Sequence, residues 1–241
     1  MYNSFAYVYD RLMSDIDYDA LCENALSLCK KYGHTPSLVL DAACGTGSFT
    51  KCLADRGFDV TGVDISEEML SVASDRAGKG VLLLCQDLCE LDLYGTVDTV
   101  FCMLDGFNHI LSKRELKKAI GKISLFTEPG GLLVFDVNTI YKHRRVLADN
   151  TFACDYDDIY LVWQNECHSD TVDIYLDFFC KNDSGYTRMS DSFSERAYSV
   201  CDISDILVES GYEILEICDF DTLGQPHKHS EKLIFTARKV R

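Results

Sequence analysis

Val39-Leu40-Asp41-Ala42-Ala43-Cys44-Gly45-Thr46-Gly47-Ser48-Phe49 is an apolar run that gives way to an acid, then to a turn of small residues, then to the start of a helix. Leu38-Val39-Leu40 reads as a short buried strand, and the helix runs from about Ser48 to Arg56 with Gly57 ending it. Small residues in such a turn let a ligand approach the backbone closely, and the first N–H groups of the helix point at it. Two cofactor classes fail here. A dinucleotide fingerprint needs a third glycine three residues after Gly47, where this chain has Thr50, and a phosphate-cradling P-loop needs a Gly-Lys-Ser/Thr ending that is absent.

Working outward, strand and helix alternate through the first two-thirds of the chain. Leu21, Cys22, Ala25, Leu28 and Cys29 recur at helical spacing before Gly33. Phe58–Val63, Val81–Cys85, Val97–Met103 and Leu132–Val137 read as further strands. Ser66 is placed to cap a helix carrying Met69, Leu70 and Ala73, and Ser112 with Glu115 forms a capping box before Leu116, Ala119, Ile120 and Ile123. Continuous apolar strands separated by helices predict an α/β fold with a parallel sheet covered on both faces.

Ligands of such sheets bind beyond the carboxyl ends of the strands. An aspartate stands at or just past each predicted end: Asp41, Asp64, Asp87, Asp105 and Asp136. The first three are spaced 23 residues apart, one strand–helix unit each. Aspartate also caps helices and forms turns, so any one of them alone has an ordinary reading; five on one edge point to a binding site.

Composition bounds the partners. The 241 residues carry 39 acidic against 23 basic side chains, a net charge of −16. Affinity for phosphate backbones needs clustered Lys and Arg, so the balance argues against nucleic acid. The N-terminal stretch lacks a basic segment followed by an apolar one, and no apolar run approaches a membrane span, so a cytoplasmic protein with no membrane contact is expected. Twelve cysteines include no CxxC pair and lie mostly in apolar contexts; Cys85 and Cys89 have no third partner nearby. They read as buried thiols, with no metal site expected.

After Asn138 the rhythm changes. Between Tyr156 and Val200 three longer alternating strands are predicted, joined by turns at Ser169-Asp170 and Asn182–Gly185, before a short helix ended by Gly211 and two last strands, Tyr212–Phe220 and Lys232–Ala237. Residues 139–200 are therefore expected to be an antiparallel insertion in a core formed by 1–138 and 201–241.

The turn resembles the first motif of class I S-adenosylmethionine-dependent methyltransferases, acidic-x-Gly-x-Gly-x-Gly, matched here by Asp41, Ala43, Gly45 and Gly47. Ala43 departs from the usual glycine; its extra methyl keeps the turn possible if φ is negative there. The likeness continues in order through Gly62–Ser66 with Met69, Gln86-Asp87-Leu88, Asp98–Cys102 and Pro129–Leu133. It implies a doubly wound, Rossmann-like fold with a mostly parallel seven-stranded sheet and an antiparallel insertion after strand five. The implied cofactor is S-adenosylmethionine, and the implied activity is methyl transfer to a nitrogen or oxygen of a small molecule. By the same resemblance Asp64 would take the ribose hydroxyls, Gln86, Asp87 and Leu88 would border the adenine with Ile65 and Met69 on its faces, Asp41 with the backbone of Ala43, Gly45 and Gly47 would hold the methionine end, and Met103 would close the site.

Phe5–Met13 resembles the N-terminal lid of a narrower bacterial branch, with Tyr9 near the methyl donor; an aromatic patch anchoring the terminus is the other reading. Asp105, Asn108, His109 and Arg196 are substrate-contact candidates, and Asn108 and His109 read equally as cap and surface residues. In-line methyl transfer needs mainly proximity and alignment. A base is required only if the nucleophile must lose a proton, and Asp105, His109 or Tyr9 could serve. The insertion resembles a substrate-closing cap, with Tyr160, Trp163, Tyr175, Phe179, Arg196 or Tyr198 as lining, or else a homodimer surface. Its many acids tilt the expected substrate towards a neutral or cationic molecule. An RNA or protein methyltransferase and a non-catalytic cofactor-binding protein are the alternatives.

Overall fold

The computed structural model describes residues 5–240, with the side chains of Phe5 and Tyr7, both part of the expected lid, outside the described set. Two helices, α1 (Phe5–Leu12) and α2 (Tyr18–Lys31), precede the alternating core β1 (Leu38–Ala42), α3 (Ser48–Asp55), β2 (Asp59–Asp64), α4 (Glu67–Arg76), β3 (Leu82–Cys85), β4 (Val97–Cys102), α5 (Lys113–Phe126) and β5 (Thr127–Asn138). The insertion holds β6 (Thr151–Asp155), β7 (Ile159–His168), β8 (Thr171–Asn182) and β9 (Gly185–Arg196), and the chain ends with α6 (Val200–Glu209), β10 (Tyr212–Asp219) and β11 (Lys232–Lys239). The seven-stranded sheet runs β10-β11-β5-β4-β1-β2-β3, with β11 antiparallel to both of its neighbours and the remaining pairs parallel.

Alternation along the central strands fills both sides. Val39, Phe101, Leu132 and Val134 pack with Leu21, Leu28, Phe49 and Leu53 of α2 and α3, while Leu40, Val100, Leu133 and Phe135 pack with Ile120, Ile123, Ile203 and Leu207 of α5 and α6. Truncating any of these to alanine costs about 2–5 kcal/mol. The helix starts carry the expected caps: the Ser66 hydroxyl accepts from Met69 N, the Ser112 hydroxyl accepts from Glu115 N, and the Ser112 hydroxyl donates to the Glu115 carboxylate.

Three elements differ from the sequence reading. Asp41 lies within β1, paired with Gly62, rather than after it. β5 starts at Thr127, and the register against β4 jumps from Thr127 to Leu132 across a bulge whose Glu128, Pro129 and Gly130 are exposed while Gly131 is buried. The insertion has four strands, not three, because β6, five residues long and half-exposed, carries too little apolar alternation to stand out. The twelve cysteines are free thiols, with Cys22, Cys29 and Cys102 fully buried. Among the described residues no helix is long and apolar enough to cross a membrane.

Candidate active site

The carboxyl ends of the parallel strands open into one cavity of about 1690 Å³, roofed by α1 and the insertion. Its first wall is the turn after β1. Cys44 N donates to Val63 O at 3.0 Å and Gly47 N to Cys44 O at 3.0 Å, which brings the chain round into α3. Ala43 has φ +58°, not the negative value expected. A left-handed alanine costs about 1 kcal/mol relative to glycine. The methyl fits because the facing position is Gly106, where a Cβ would stand 2.9 Å from that of Ala43.

The positions assigned to a cofactor by resemblance converge on this cavity. From the turn come Asp41, Ala43 and Gly45; from β2 and α4 come Asp64, Ile65 and Met69; beyond β3 lie Gln86, Asp87 and Leu88, and Met103 and Tyr9 close the set. Gly47 does not line it. Its φ of +77° and the 2.9 Å from its missing Cβ to Ala73 Cβ make it the packing contact that lets α3 start against α4.

Local hydrogen bonds hold these groups in place. Asp64 accepts from Gly45 N at 2.8 Å and Ser66 N at 2.9 Å, so its carboxylate is fixed between the glycine turn and the start of α4 while remaining part-exposed to the cavity. Asp87 accepts from Cys89 N at 2.8 Å and caps the turn Leu88–Glu90. The Gln86 amide is engaged with the backbone of Asp92. Asp41 is 2% exposed and takes one hydrogen bond, from Thr50 Oγ1 at 2.5 Å. Burial pushes its carboxyl up to about 7, against the pull of the Thr50 hydroxyl. A diol acceptor at β2, close-approach backbone at the turn and an underpartnered acid beneath it fit the ribose and the cationic methionine end of S-adenosylmethionine.

Past β4, Leu104 and Asp105 adopt left-handed backbone, φ +61° and +59°. The fully buried Asp136 carboxylate holds both, accepting from Leu104 N at 2.5 Å and Asp105 N at 3.0 Å. Lys232, at the start of β11, donates to Asp105 Oδ1 at 2.6 Å and Asp136 Oδ2 at 3.2 Å. Asn138 Nδ2 reaches both Asp105 (3.0 Å) and the buried Glu195 (2.9 Å). Burial would raise the Asp105 carboxyl, but the Lys232 and Lys142 ammoniums outweigh it and hold it well below the usual carboxylate range. Burial and the neighbouring Lys232 push Lys142 down, and burial pushes the Tyr9 phenol far up. Asp105, His109 and Glu195 each place one ligand atom within 4.8 Å of the others.

The insertion covers this end with its Leu161, Trp163, Ile174, Leu176 and Phe193 face. Of the lining candidates on it, only Trp163 reaches the cavity; Tyr160, Tyr175 and Phe179 stand on the opposite face. His109 sits on the rim, its ring 5.3 Å from that of Phe193.

Two substrate-contact candidates do not reach the cavity. Asn108 is fully buried and spends its amide on backbone: Nδ2 donates to Arg196 O and Asn138 O, and Oδ1 accepts from Asn138 N. Arg196 pairs in register with Thr171, on the face away from Glu195; it donates to Leu111 O at 3.0 Å and stacks over Tyr198. Tyr198 is buried, its hydroxyl donating to Ile110 O. Lys232, Lys142 and Glu195 were missed by sequence reasoning; a lone lysine opening the apolar strand Leu233-Ile234-Phe235 was the one visible signal.

The methyltransferase-domain family profile matches residues 39–131. The chain is 33% identical to the methyltransferase-family protein YqeM of Bacillus subtilis (strain 168), over 99% of this chain and 97% of that one. Its fold matches the crystal structure of an S-adenosylmethionine-dependent methyltransferase from Clostridium acetobutylicum with a TM-score of 0.91 and 32% identity, covering 100% of this chain and 99% of that one. The S-adenosylmethionine-bound amino pentose methyltransferase CalS10 of Micromonospora echinaspora shares the fold at a TM-score of 0.80 and 18% identity, over 100% and 98% of the two chains. Glycine/sarcosine N-methyltransferase of Halorhodospira halochloris is 30% identical over half of this chain and 48% of its own length. Motif order, cavity and full-length relatives agree: the chain belongs to the class I S-adenosylmethionine-dependent methyltransferases.

Proposed function

We propose that this enzyme methylates the nitrogen of a small-molecule amine seated at the Asp105, His109 and Glu195 end of the cavity. The observation that carries the reading is that trio: two carboxylates and an imidazole converging within 4.8 Å beneath the apolar face of the insertion. Asp64 holds the ribose, Asp87 and Leu88 border the adenine, and Asp41 with the Gly45 turn receives the methionine end. When bound, S-adenosylmethionine supplies a methyl carbon already activated by its sulfonium. Asp105 and Glu195 orient an alkylammonium through charge-assisted hydrogen bonds, since Lys232 keeps Asp105 ionised. The exposed His109 ring takes the proton that frees the nitrogen lone pair; Tyr9, with its phenol pushed far up by burial, does not serve as base. Trp163, Leu161 and Leu176 exclude water from the attacking nitrogen, and fixed geometry supplies most of the rate.

The glycine/sarcosine N-methyltransferase likeness supports a nitrogen acceptor, and the acidic insertion supports a neutral or cationic one. A cytoplasmic setting fits the chemistry. The test is transfer of a tritiated methyl group to a panel of primary and secondary amines, their alcohol isosteres, bulk RNA and protein. Label on amines supports the reading; label on RNA, protein or the alcohols alone overturns it.

A further inference from the structure

Helix α1 belongs to two bodies. On one side Val8, 1% exposed, is packed into the apolar cluster of the insertion with Leu147, Ile159 and Leu161, and Arg11 pairs with Asp158 at 2.9 Å. On the other side, Asp10 meets Arg76, the last residue of α4. The two guanidinium nitrogens of Arg76 address the two oxygens of the Asp10 carboxylate, Nη1 to Oδ1 at 3.1 Å and Nη2 to Oδ2. The Thr46 carbonyl at 3.1 Å, the Thr46 hydroxyl at 2.9 Å and the Ser48 hydroxyl at 2.5 Å surround the same Nη1, whose second hydrogen they share. Thr46 Oγ1 in turn donates to Asp10 Oδ1 at 2.7 Å. Thr46 lies between Gly45 and Gly47, and Tyr9, the neighbour of Asp10, lines the cavity. One guanidinium thus ties the lid to the glycine turn.

We propose that Arg76 is a positioning residue, a clasp that locks α1, and with it the insertion, onto the glycine turn, so that retention of the cofactor depends on the Asp10–Arg76 pair. A planar fork satisfies a carboxylate in two parallel bonds and still has donors for the turn, which a lysine cannot do. Both side chains keep about a quarter of their surface exposed, 26% and 27%. Solvent therefore screens the pair, and it can open and reclose as ligands exchange. The inference rests on the cofactor site described above and adds to it a residue that does not line the cavity.

The test is a double-mutant cycle on the full chain with Arg76→Gln, Asp10→Asn and both together. S-adenosylmethionine Kd is read by calorimetry, the dissociation rate of S-adenosylhomocysteine by stopped flow, and apo Tm by melting. Each single change is expected to raise Kd about tenfold through faster dissociation, as loss of one charge-assisted pair does. The double variant should be no weaker than the worse single one, with apo Tm shifted by only a few degrees. Additive effects in the double variant, or an unchanged dissociation rate with a lowered Tm, overturn the clasp and leave an ordinary structural ion pair. Should Arg76→Gln fail to fold, the dissociation rate of Asp10→Asn decides alone. Wild-type protein that binds no S-adenosylmethionine would overturn the cofactor site itself; wild-type binding with unaffected variants overturns the clasp only.

Discussion

Lys232 Nζ stands 2.6 Å from Asp105 Oδ1, joining the start of the last strand to a residue 127 positions earlier, just past the end of β4. This contact sets the charge of the proposed acceptor end. Asp136 below is fully buried, and Lys232 bridges it to Asp105. Without the ammonium, two carboxylates would face each other with Asn138 as the remaining side-chain donor to Asp105.

Lys232→Met is therefore expected to cost about 3–5 kcal/mol of stability, the usual penalty for stripping one partner from a buried pair. Where the variant folds, acceptor kcat/KM should fall at least about tenfold while S-adenosylmethionine affinity changes little, because Lys232 lies at the proposed acceptor end. Denaturant melts and steady-state kinetics check both parts. Equal losses in cofactor and acceptor binding would contradict the division of the cavity.

Asp41 gives a pH signature. Its folded value of about 7 lies above the ordinary carboxylate value of 3.8, so the folded state binds the proton more tightly than the unfolded chain. Its stabilising contribution is full below about pH 4 and is lost as pH rises through about 7. Asp41→Asn should remove that loss, narrowing the fall in apo Tm between pH 5.5 and pH 8. Wild-type protein at pH 6 should release up to about one proton on binding the cationic methionine end, read from calorimetry in buffers of different ionisation enthalpy. A variant whose Tm falls with pH as steeply as that of wild type would contradict the account.

Gly47→Ala places a Cβ 2.9 Å from Ala73 Cβ at a φ of +77°. Strain and overpacking together should cost about 2 kcal/mol or more, and lifting the first turn of α3 should loosen the cofactor turn. A chemical melt with a parallel S-adenosylmethionine titration reads both effects; an unchanged melt would mean that α3 and α4 separate freely.

The parallel core and its acidic edge were legible because their signals are local. An apolar strand, a small-residue turn and a helix start occupy neighbouring positions, and of the five aspartates near the strand ends four line the cavity while Asp136 is buried beneath Asp105. Of the proposed acceptor end only Asp105 and His109 were legible; Asn138, Glu195 and Lys232 were not, because they come from three further elements and only the topology brings them to Asp105. The inward face of the insertion was hidden for another reason. Tyr160 and Leu161, or Tyr175 and Ile174, are apolar on both sides, so a period of two marks a strand without choosing its face. The choice is made by Val8 and Leu147, which pack on the Leu161 side. Asn108 and Arg196 had suitable chemistry, but the backbone bonds they make in the fold direct both away from the cavity.

S-adenosylmethionine is expected in the strand-end cavity with its ribose on Asp64, whose carboxylate is already aligned by Gly45 N and Ser66 N. Calorimetric titration of S-adenosylmethionine into wild-type protein and Asp64→Ala tests it most directly. Wild type should bind saturably one to one, and the variant with an affinity at least about tenfold lower, the scale of losing two charge-assisted hydrogen bonds. Equal affinity in the two proteins, or no binding by wild type, would contradict it.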